Sequence, residues 1–291
     1  MSIKDWVLQS APLNWAARFA TPRNVGQYFG SGAMGMTIET LWDRQRRSGD
    51  LAAQVADHLV DRDATVIDVG ASWGLFTYHF ARRVGPGGTV YSYEPHPANS
   101  AVLQKLADKK SSVHFRPVAV SDSAGHAEMQ VPRHHNRMVT AQSSLAHGFA
   151  DSADLLVDRI QVPTVRLDDE IDAANRIDFV KIDVEGHEIA VLRGAASILR
   201  KWMPPILIEI EQRHLSIPID DVFRELQDLG YSLYYIDGPA LRPIDQFDVQ
   251  RDQTSKVTED QFTAFSMPKD YVCNFCAVPA DEKLKGFLQS R

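Results

Sequence analysis

The sequence of 291 residues predicts an α/β fold with a mostly parallel sheet. From Ala64 onward, apolar strand patterns alternate with amphipathic helix patterns, which is typical of parallel strands joined by right-handed crossovers. Two late strand patterns, 231–236 and 271–278, have a long polar stretch rather than a helix pattern between them. We therefore expect these last two strands to pair in an antiparallel manner.

The local pattern of each segment gives its expected element. Leu51, Val55 and Leu59 recur at helical spacing and predict a packing helix before the sheet, at the end of an N-terminal extension of helices and loops over residues 1–60. A helix expected over 75–84 ends at a glycine- and proline-rich stretch. The other expected elements are strand 65–69, strand 89–93, helix 97–106, strand 113–120, strand 177–183, helix 185–199, strand 206–211 and helix 220–229.

The regular alternation is interrupted in the middle of the chain. Short strands are expected at 126–131 and 159–167, and the polar stretch 132–158 between them has no clean period. A loop of this length inside a compact domain is usually functional. We interpret 132–158 as a lid loop on one domain that spans 61–291.

The composition restricts the partners and the location of the protein. A net charge of −7 and a pI of about 5.8 argue against a surface that follows nucleic-acid phosphates. The sequence has no apolar run of about 18 residues and no secretory signal pattern. Its two cysteines do not make a disulfide framework in a chain of this length. We expect a cytoplasmic protein without a nucleic-acid or membrane partner, and a homo-oligomer remains open.

The segment from Val66 to Thr77 carries the strongest functional signal. It consists of an apolar strand, a glycine-bearing turn and the start of a helix. Because glycine has no Cβ and tolerates φ > 0, the backbone of such a turn can approach a nucleotide-like ligand closely. Asp68, Glu94 and Asp183 lie at strand ends, and the carboxyl ends of parallel strands meet in one crevice. Glu94 is placed to accept hydrogen bonds from both hydroxyls of a ribose, so an adenosine cofactor is expected.

Two other functions use a similar pattern. An NAD(P)-dependent oxidoreductase also has a strand, a glycine turn and an acid, but its usual turn is G-x-G-x-x-G. The turn in this chain, Gly70-Ala71-Ser72-Trp73-Gly74, does not match that spacing, and Trp73 adds bulk where two phosphates need room. A binding module that keeps the cofactor pocket without catalysis is the third candidate.

The ordered motifs resemble those of the FkbM-type S-adenosylmethionine-dependent methyltransferases. The resemblance covers about residues 60–280, and the chain departs from the usual pattern at Ser72, where asparagine is common, and at His187, where a small residue is common. The matching segments are Asp68–Gly74, Tyr93–Pro95, Val118–Asp122, Ser143–Leu145, Leu167–Asp169, Ile177–Glu188 and Val191–Ala195.

The resemblance implies a Rossmann-like class I methyltransferase fold, in which a seven-stranded sheet ends in a reversed hairpin. It implies S-adenosyl-L-methionine as the methyl donor. Glu94 would hold the ribose hydroxyls, Asp122 would accept from the adenine amino group, and Asp183 would lie near the sulfonium. The complete set of cofactor-binding residues that it implies is Asp68, Gly70, Ser72, Gly74, Thr77, Glu94, Ala119, Asp122, Ser144 and Asp183.

The expected reaction is methyl transfer to a hydroxyl on a small metabolite, natural product or sugar, although a nitrogen acceptor stays open. A hydroxyl acceptor needs a base to take its proton. His187 is the first candidate, because histidine titrates near working pH. Asp183 and Glu209 are the other catalytic candidates, with Glu211 and His214 as further ones. No metal is expected, and the spacing of Cys273 and Cys276 places them on opposite faces of a strand.

Overall fold

The computed structural model describes residues 51–134, 137–138, 143–146, 155–238, 240–257, 268 and 270–279. Of the expected N-terminal extension, only residues 51–60 fall within these ranges, and the rest of that prediction lies outside the described residues. The described part of the chain contains two sheets with helices on both faces of the larger one.

The helices and strands follow the alternation expected from the sequence. The helices are α1 (Leu51–Leu59), α2 (Leu75–Val84), α3 (Pro97–Ala107), α4 (Leu167–Glu170), α5 (Glu188–Gly194), α6 (Ala196–Trp202), α7 (Ile219–Asp228) and α8 (Val249–Asp252). The strands are β1 (Thr65–Val69), β2 (Thr89–Tyr93), β3 (Val113–Arg116), β4 (Ala119–Val120), β5 (Gly125–His134), β6 (Arg137–Met138), β7 (Leu155–Val165), β8 (Phe179–Ile182), β9 (Ile206–Glu209), β10 (Ser232–Asp237), β11 (Ala240–Pro243) and β12 (Asn274–Val278).

The larger sheet has the strand order β11-β10-β12-β9-β8-β1-β2-β3. Strands β3, β2, β1, β8 and β9 run parallel to their neighbours, whereas β12 pairs antiparallel with both β9 and β10. This arrangement confirms the α/β fold and the antiparallel pairing of the last two expected strands. The sheet has eight strands rather than seven, because β11 turns back to pair with β10 at the edge. Its last residue is Pro243, which suits an edge strand.

The middle of the chain departs from the sequence-based expectation. The strand expected over 113–120 breaks at Pro117, which has no N–H for a sheet ladder, so β3 joins the large sheet and β4 joins a second one. That second sheet has the order β4-β7-β5-β6. The loop expected over 132–158 is shorter than predicted, because β5 and β7 pair from Gly125 opposite Thr164 to His134 opposite Leu155. Its role as a lid stays a prediction. The short strands expected at 126–131 and 159–167 are thus parts of two longer strands, which continue into the polar stretch between them.

The core lies on both faces of the large sheet. On one face, α5, α6 and α7 pack on the apolar side chains of β1, β8 and β9, among them Ile67, Val180 and Ile208. On the other face, α1 and α2 pack on β1, β2 and β8, and Leu59 and Phe80 are almost fully buried there. Burial of each such side chain contributes roughly 1.5–3 kcal/mol to stability. Helix α1 is therefore a structural part of the sheet layer, as the helical spacing of its apolar residues predicted.

Candidate active site

The turn after β1 touches both neighbouring strands. The N–H groups of Gly70 and Ala71 donate to the carbonyl oxygen of Tyr93 at 3.0 and 3.1 Å. Gly70 has φ +75°, and a Cβ added there would lie 1.8 Å from the carbonyl oxygen of Asp183. Only glycine fits this position, and it lets the backbone of β1 pass directly between the ends of β2 and β8.

Glu94 follows β2 and lies over this turn. One of its carboxylate oxygens accepts from the N–H of Ser72 and the other from the N–H of His96, both at 2.8 Å. The side chain lines a cleft at the carboxyl end of the sheet but is 6% exposed. Burial raises the pKa of Glu94 to about 7, although the two backbone hydrogen bonds oppose that rise.

Asp68 and Thr77 support the turn from behind. Both are fully buried, and the Thr77 hydroxyl donates to Asp68 Oδ2 at 2.6 Å and lies 3.0 Å from Ser92 Oγ. Burial raises the pKa of Asp68, and the nearby Lys181 ammonium partly offsets this. These side chains fix the geometry of the turn from outside the cleft.

Lys181, in β8, lies close to side chains of β1 and α2 and to Asp183 at the end of its own strand. Its Nζ lies 3.1 Å from Asp183 Oδ2, 3.8 Å from Asp68 Oδ1 and 4.8 Å from the centre of the Phe76 ring. Burial alone lowers the pKa of Lys181, but attraction to Asp183 and Asp68 outweighs it, so the net shift is upward. Lys181 is thus a buried cation that fixes the carboxylate of Asp183 at the cleft.

The ends of β8 and β9 add further acids to the cleft. Asp183, Glu185 and Glu209 line it together with Asn274. Glu185 Oε2 lies 3.0 Å from Nε2 of the buried His214.

Glu211 lies behind His214, with its Oε1 3.8 Å from His214 Nε2. Arg213 binds Glu211 through Nε and Nη2 at 2.6 and 3.2 Å. Burial raises the pKa of Glu211, but attraction to Arg213 and His214 outweighs it, so the net shift is downward. Among the described residues, the donor atoms of Glu185, Glu211 and His214 all lie within 4.8 Å of one another.

His187 lies in the wall of the cleft, directly before α5. Its Nε2 is 3.0 Å from the hydroxyl oxygen of Ser121. Burial lowers the pKa of His187, and the negative charge of Asp122 only partly compensates. The imidazole is therefore neutral at pH 7.

The cleft brings together some of the residues expected from the sequence and leaves others outside its lining. Asp122 is exposed, and Gly74 lies at the start of α2 against Leu103. Ser144 is buried, and its hydroxyl donates to the carbonyl oxygen of Glu185 at 2.6 Å. The expected residues that line the cleft are Gly70, Ser72, Glu94, Ala119, Asp183, His187 and Glu209.

Sequence reasoning did not assign a role to Lys181 or Glu185. For Lys181 a signal existed, since a lysine in the short apolar strand Phe179–Ile182 must be paired when that strand is buried. Glu185 has no such local signal, because its position in the cleft depends on the backbone conformation after β8. In the part of the chain that the structure describes, no helix has the length and apolar character needed to cross a membrane.

The chain matches a known protein family and known methyltransferase sequences. The model of the methyltransferase FkbM domain matches residues 63–233. The chain is 26% identical over 153 residues to Methyltransferase 1 of Beauveria bassiana, covering 45% of this chain and 58% of that protein. It is 28% identical over 154 residues to methyltransferase sdnD of Sordaria araneosa, covering 44% and 59%. The chain thus matches less than two thirds of the length of these relatives.

Among solved structures, the FkbM methyltransferase of Methylobacillus flagellatus is 16% identical and aligns with a TM-score of 0.45, covering 74% of this chain and 44% of that one. Fibrillarin of Aeropyrum pernix, solved with natively bound S-adenosyl-L-methionine, is 11% identical with a TM-score of 0.41, covering 76% and 68%. The family model covers more than half of the 291 residues, and its range includes all the segments that carried the resemblance. The chain belongs to the FkbM methyltransferase domain family.

Proposed function

We propose that this protein is an S-adenosylmethionine-dependent methyltransferase that acts on a hydroxyl of a small metabolite, natural product or sugar. The observation that carries the proposal is the carboxylate of Glu94, held over the glycine turn at the carboxyl ends of β1 and β2. A ribose diol requires a hydrogen-bond acceptor at this place, in a crevice where the strand ends converge.

The groups around the cleft fit the proposed cofactor. Each Glu94 oxygen accepts one backbone N–H and keeps further lone pairs for hydroxyl donors. Ala119 and Val120 line the cleft with apolar surface, which suits a purine ring. Asp183 and Glu185 supply negative charge that favours a cation. When bound, the cofactor supplies a methyl group on a positively charged sulfur, already activated for transfer.

The principal contribution of the protein to the rate is then to orient the methyl donor and the acceptor. The turn and the end of β8 touch at Gly70, so the two sides of the cleft floor have little freedom to move apart. Fixing two reacting groups in this way contributes on the order of 7–11 kcal/mol to lowering a barrier. The paired Lys181 and Asp183 keep a charged group at a defined position in this floor.

The proton of the acceptor hydroxyl needs a base. All three catalytic candidates from the sequence, His187, Asp183 and Glu209, line the cleft. A neutral His187 is in the right protonation state to accept a proton, although its Nε2 lies 3.0 Å from the hydroxyl oxygen of Ser121. Asp183 has one oxygen committed to the Lys181 ammonium.

Titration calorimetry with S-adenosylhomocysteine tests the proposal. We expect the full chain to bind it, and we expect Glu94→Ala to weaken binding by about tenfold or more, equal to roughly 1.4 kcal/mol. Glu225→Ala is the control, because Glu225 lies on α7, pairs with Arg193 of α5 and does not line the cleft. The absence of binding by the intact chain would contradict the proposal.

Thermal unfolding separates the other two candidate functions. A rise in melting temperature with NAD or NADP, and none with S-adenosylhomocysteine, would favour an oxidoreductase. Binding without transfer of a labelled methyl group to a methyl glycoside, a phenol or a hydroxy acid would favour a non-catalytic module for these acceptors.

A further inference from the structure

Glu185 has a strained backbone at the wall of the cleft. Its φ is +49°, a conformation that costs a residue with a side chain about 1–2 kcal/mol. Four described residues other than glycine have a positive φ, and two of them, Ser72 and Glu185, line the cleft. Strain of this kind persists only where the surrounding structure holds it, and it is enriched at functional sites.

Three neighbouring contacts hold Glu185 in this conformation. The Ser144 hydroxyl donates to the Glu185 carbonyl oxygen at 2.6 Å. The N–H of the next residue, Gly186, donates to Glu188 Oε1 at 2.8 Å. Gly186 itself has φ +94° and packs so closely that a Cβ there would lie 2.2 Å from the carbonyl oxygen of His214. These three contacts therefore hold the strained backbone at Glu185 in place.

The side chain of Glu185 lies against a buried histidine. Its Oε2 lies 3.0 Å from Nε2 of His214, whose side chain is 5% exposed, whereas the Glu185 side chain is 10% exposed and faces the cleft. Behind His214 lie Glu211 and the Arg213 guanidinium. Among the described residues, Glu188 and Tyr271 also interact electrostatically with this cluster, and Asp183 acts on Glu188.

A divalent cation is the competing interpretation of this cluster, since the donor atoms of Glu185, Glu211 and His214 are close enough to share one ion. Arg213, however, already binds both oxygens of Glu211, with its Nε at 2.6 Å and its Nη2 at 3.2 Å. A cation at this place would have to displace or tolerate the guanidinium charge. The contacts therefore favour an ordered carboxylate over a metal site.

We propose that Glu185 takes the proton of the methyl acceptor and that His214 is a positioning residue that orients the Glu185 carboxylate. This inference rests on the proposed function. When the acceptor O–H bond breaks, the proton moves to Glu185 and the electron pair stays on the acceptor oxygen. That pair forms the new bond to the methyl carbon, and the pair of the carbon–sulfur bond stays on sulfur. The proton leaves Glu185 to water after transfer.

The geometry distinguishes Glu185 from two of the other candidates, Asp183 and His187. Asp183 has an oxygen bound to the Lys181 ammonium at 3.1 Å, and His187 has its Nε2 engaged with Ser121. Glu185 alone among these three combines a strained backbone with a buried partner that orients the carboxylate from the side away from the cleft.

The first test is spectroscopic and needs no acceptor. Proton NMR of the full chain is expected to show a downfield histidine Nε2–H resonance that disappears in His214→Gln and moves upfield in Glu185→Gln. Glu225→Gln, which changes a glutamate outside the cleft, should leave it in place. A resonance that Glu185→Gln does not move, or its absence from the wild-type spectrum, would overturn the positioning role of His214.

The second test separates this inference from the proposed function. Glu185→Gln is expected to bind S-adenosylhomocysteine within about threefold of the wild type, a difference of less than about 1 kcal/mol. The acceptor probes are a methyl glycoside, a phenol and a hydroxy acid. For any of these that the wild type methylates, Glu185→Gln is expected to lower kcat by about 10²-fold or more with little change in KM. If the wild type binds S-adenosylhomocysteine but Glu185→Gln turns over the acceptor as fast as the wild type, only the role of Glu185 is overturned.

Two further measurements keep the inference falsifiable where none of these probes is methylated. Glu185→Asn is expected to raise the melting temperature, because asparagine adopts positive φ more readily than glutamate; a lower temperature would overturn the claim of strain. Calorimetry with Mg²⁺ and Mn²⁺ is expected to show no binding at micromolar concentration. Binding that Glu185→Gln and His214→Gln both abolish would overturn the proton role in favour of a metal site.

Discussion

Two turns at neighbouring strand ends use the same backbone construction. The turn 70–74 after β1 contains Ser72 at φ +51°, and the turn 183–187 after β8 contains Glu185 at φ +49°. Each also contains a glycine with no room for a Cβ. In each turn a buried glutamate accepts a backbone N–H at 2.8 Å, Glu94 from the first turn and Glu188 from the second.

The two turns differ in which carboxylate reaches the cleft. Glu94 lines the cleft, so the group that fastens the first turn is also available to a ligand. Glu188 is 1% exposed, outside the lining of the cleft, and its Oε2 has no hydrogen-bond partner among the described residues. In the second turn, the strained residue Glu185 supplies the side chain in the cleft instead. The same construction therefore produces a candidate binding group in one turn and a candidate proton acceptor in the other.

The largest expected effect comes from filling the close approaches in the two turns. Gly70→Ala and Gly186→Ala would place a Cβ 1.8 and 2.2 Å from a carbonyl oxygen, so we expect each to destabilise the fold by about 3 kcal/mol or more. Gly238→Ala is the control, since its φ is +55° but no atom lies within 4 Å, and it should cost about 1–2 kcal/mol. Urea unfolding measures all three. Equal losses would show that backbone conformation alone, and not the close approach, governs these turns.

The next effect concerns cofactor binding and separates the two glutamates. Glu94→Gln keeps the shape of the side chain but replaces charged acceptors, whose hydrogen bonds are worth about 1.5–3 kcal/mol, so we expect roughly tenfold weaker S-adenosylhomocysteine binding. Glu188→Gln should change it less than about threefold. Calorimetry at pH 8 gives both values, and similar losses would contradict the different roles assigned to the two carboxylates.

The raised pKa values of the two glutamates also predict how the stability of the fold depends on pH. Burial raises the pKa of Glu188 to about 8 and that of Glu94 to about 7, from the usual 4.5. Between pH 4.5 and these values the folded chain holds protons that the unfolded chain has released, so stability is fully present at low pH and falls as pH rises. The fall is at most about 1.4 kcal/mol per pH unit for each group.

Glu188→Gln removes one of these contributions. As pH rises from about 5 to 8, we expect the free energy of unfolding of Glu188→Gln to increase relative to that of the wild type. The reason is that only the wild type has a proton to lose at position 188. Denaturant unfolding at intervals over this range makes the comparison. Two curves that stay parallel would show that Glu188 is ionised in the folded protein throughout.

The smallest effect concerns Ser72. Asparagine adopts positive φ more readily than serine, so Ser72→Asn should raise the free energy of unfolding by about 0.5 kcal/mol. Thermal unfolding with Ser123→Asn as an exposed control measures the gain. No gain would mean that neighbouring contacts already compensate the backbone of this turn.

The sequence was sufficient for the features that depend on one strand and its adjacent turn. Gly70, Glu94 and Asp183 were predictable because each directly follows an apolar strand, and parallel strands bring such ends together. Strands at 126–131 and 159–167 were expected, but their extension into one long antiparallel pair, β5 and β7, was not predicted, since it interrupts the parallel alternation.

The less predictable part of the site depends on tertiary contacts. Glu185 and His214 lie far apart in the sequence and meet only because the Gln212–His214 turn returns beneath the end of β8. Neither residue stands in a periodic pattern relative to the other. Likewise, the hydroxyl of Ser144 reaches the Glu185 carbonyl through the fold of the second sheet, which no local spacing could show.

The contact between Gly70 and the Asp183 carbonyl has a consequence for substrate range. A floor without a gap cannot widen to admit a bulkier acceptor. Other parts of the lining come from the second sheet and the segment bridged to it, which contribute Met129, Ser143 and Leu145. Redesign of this scaffold for a new acceptor would begin with those three positions and leave the floor intact.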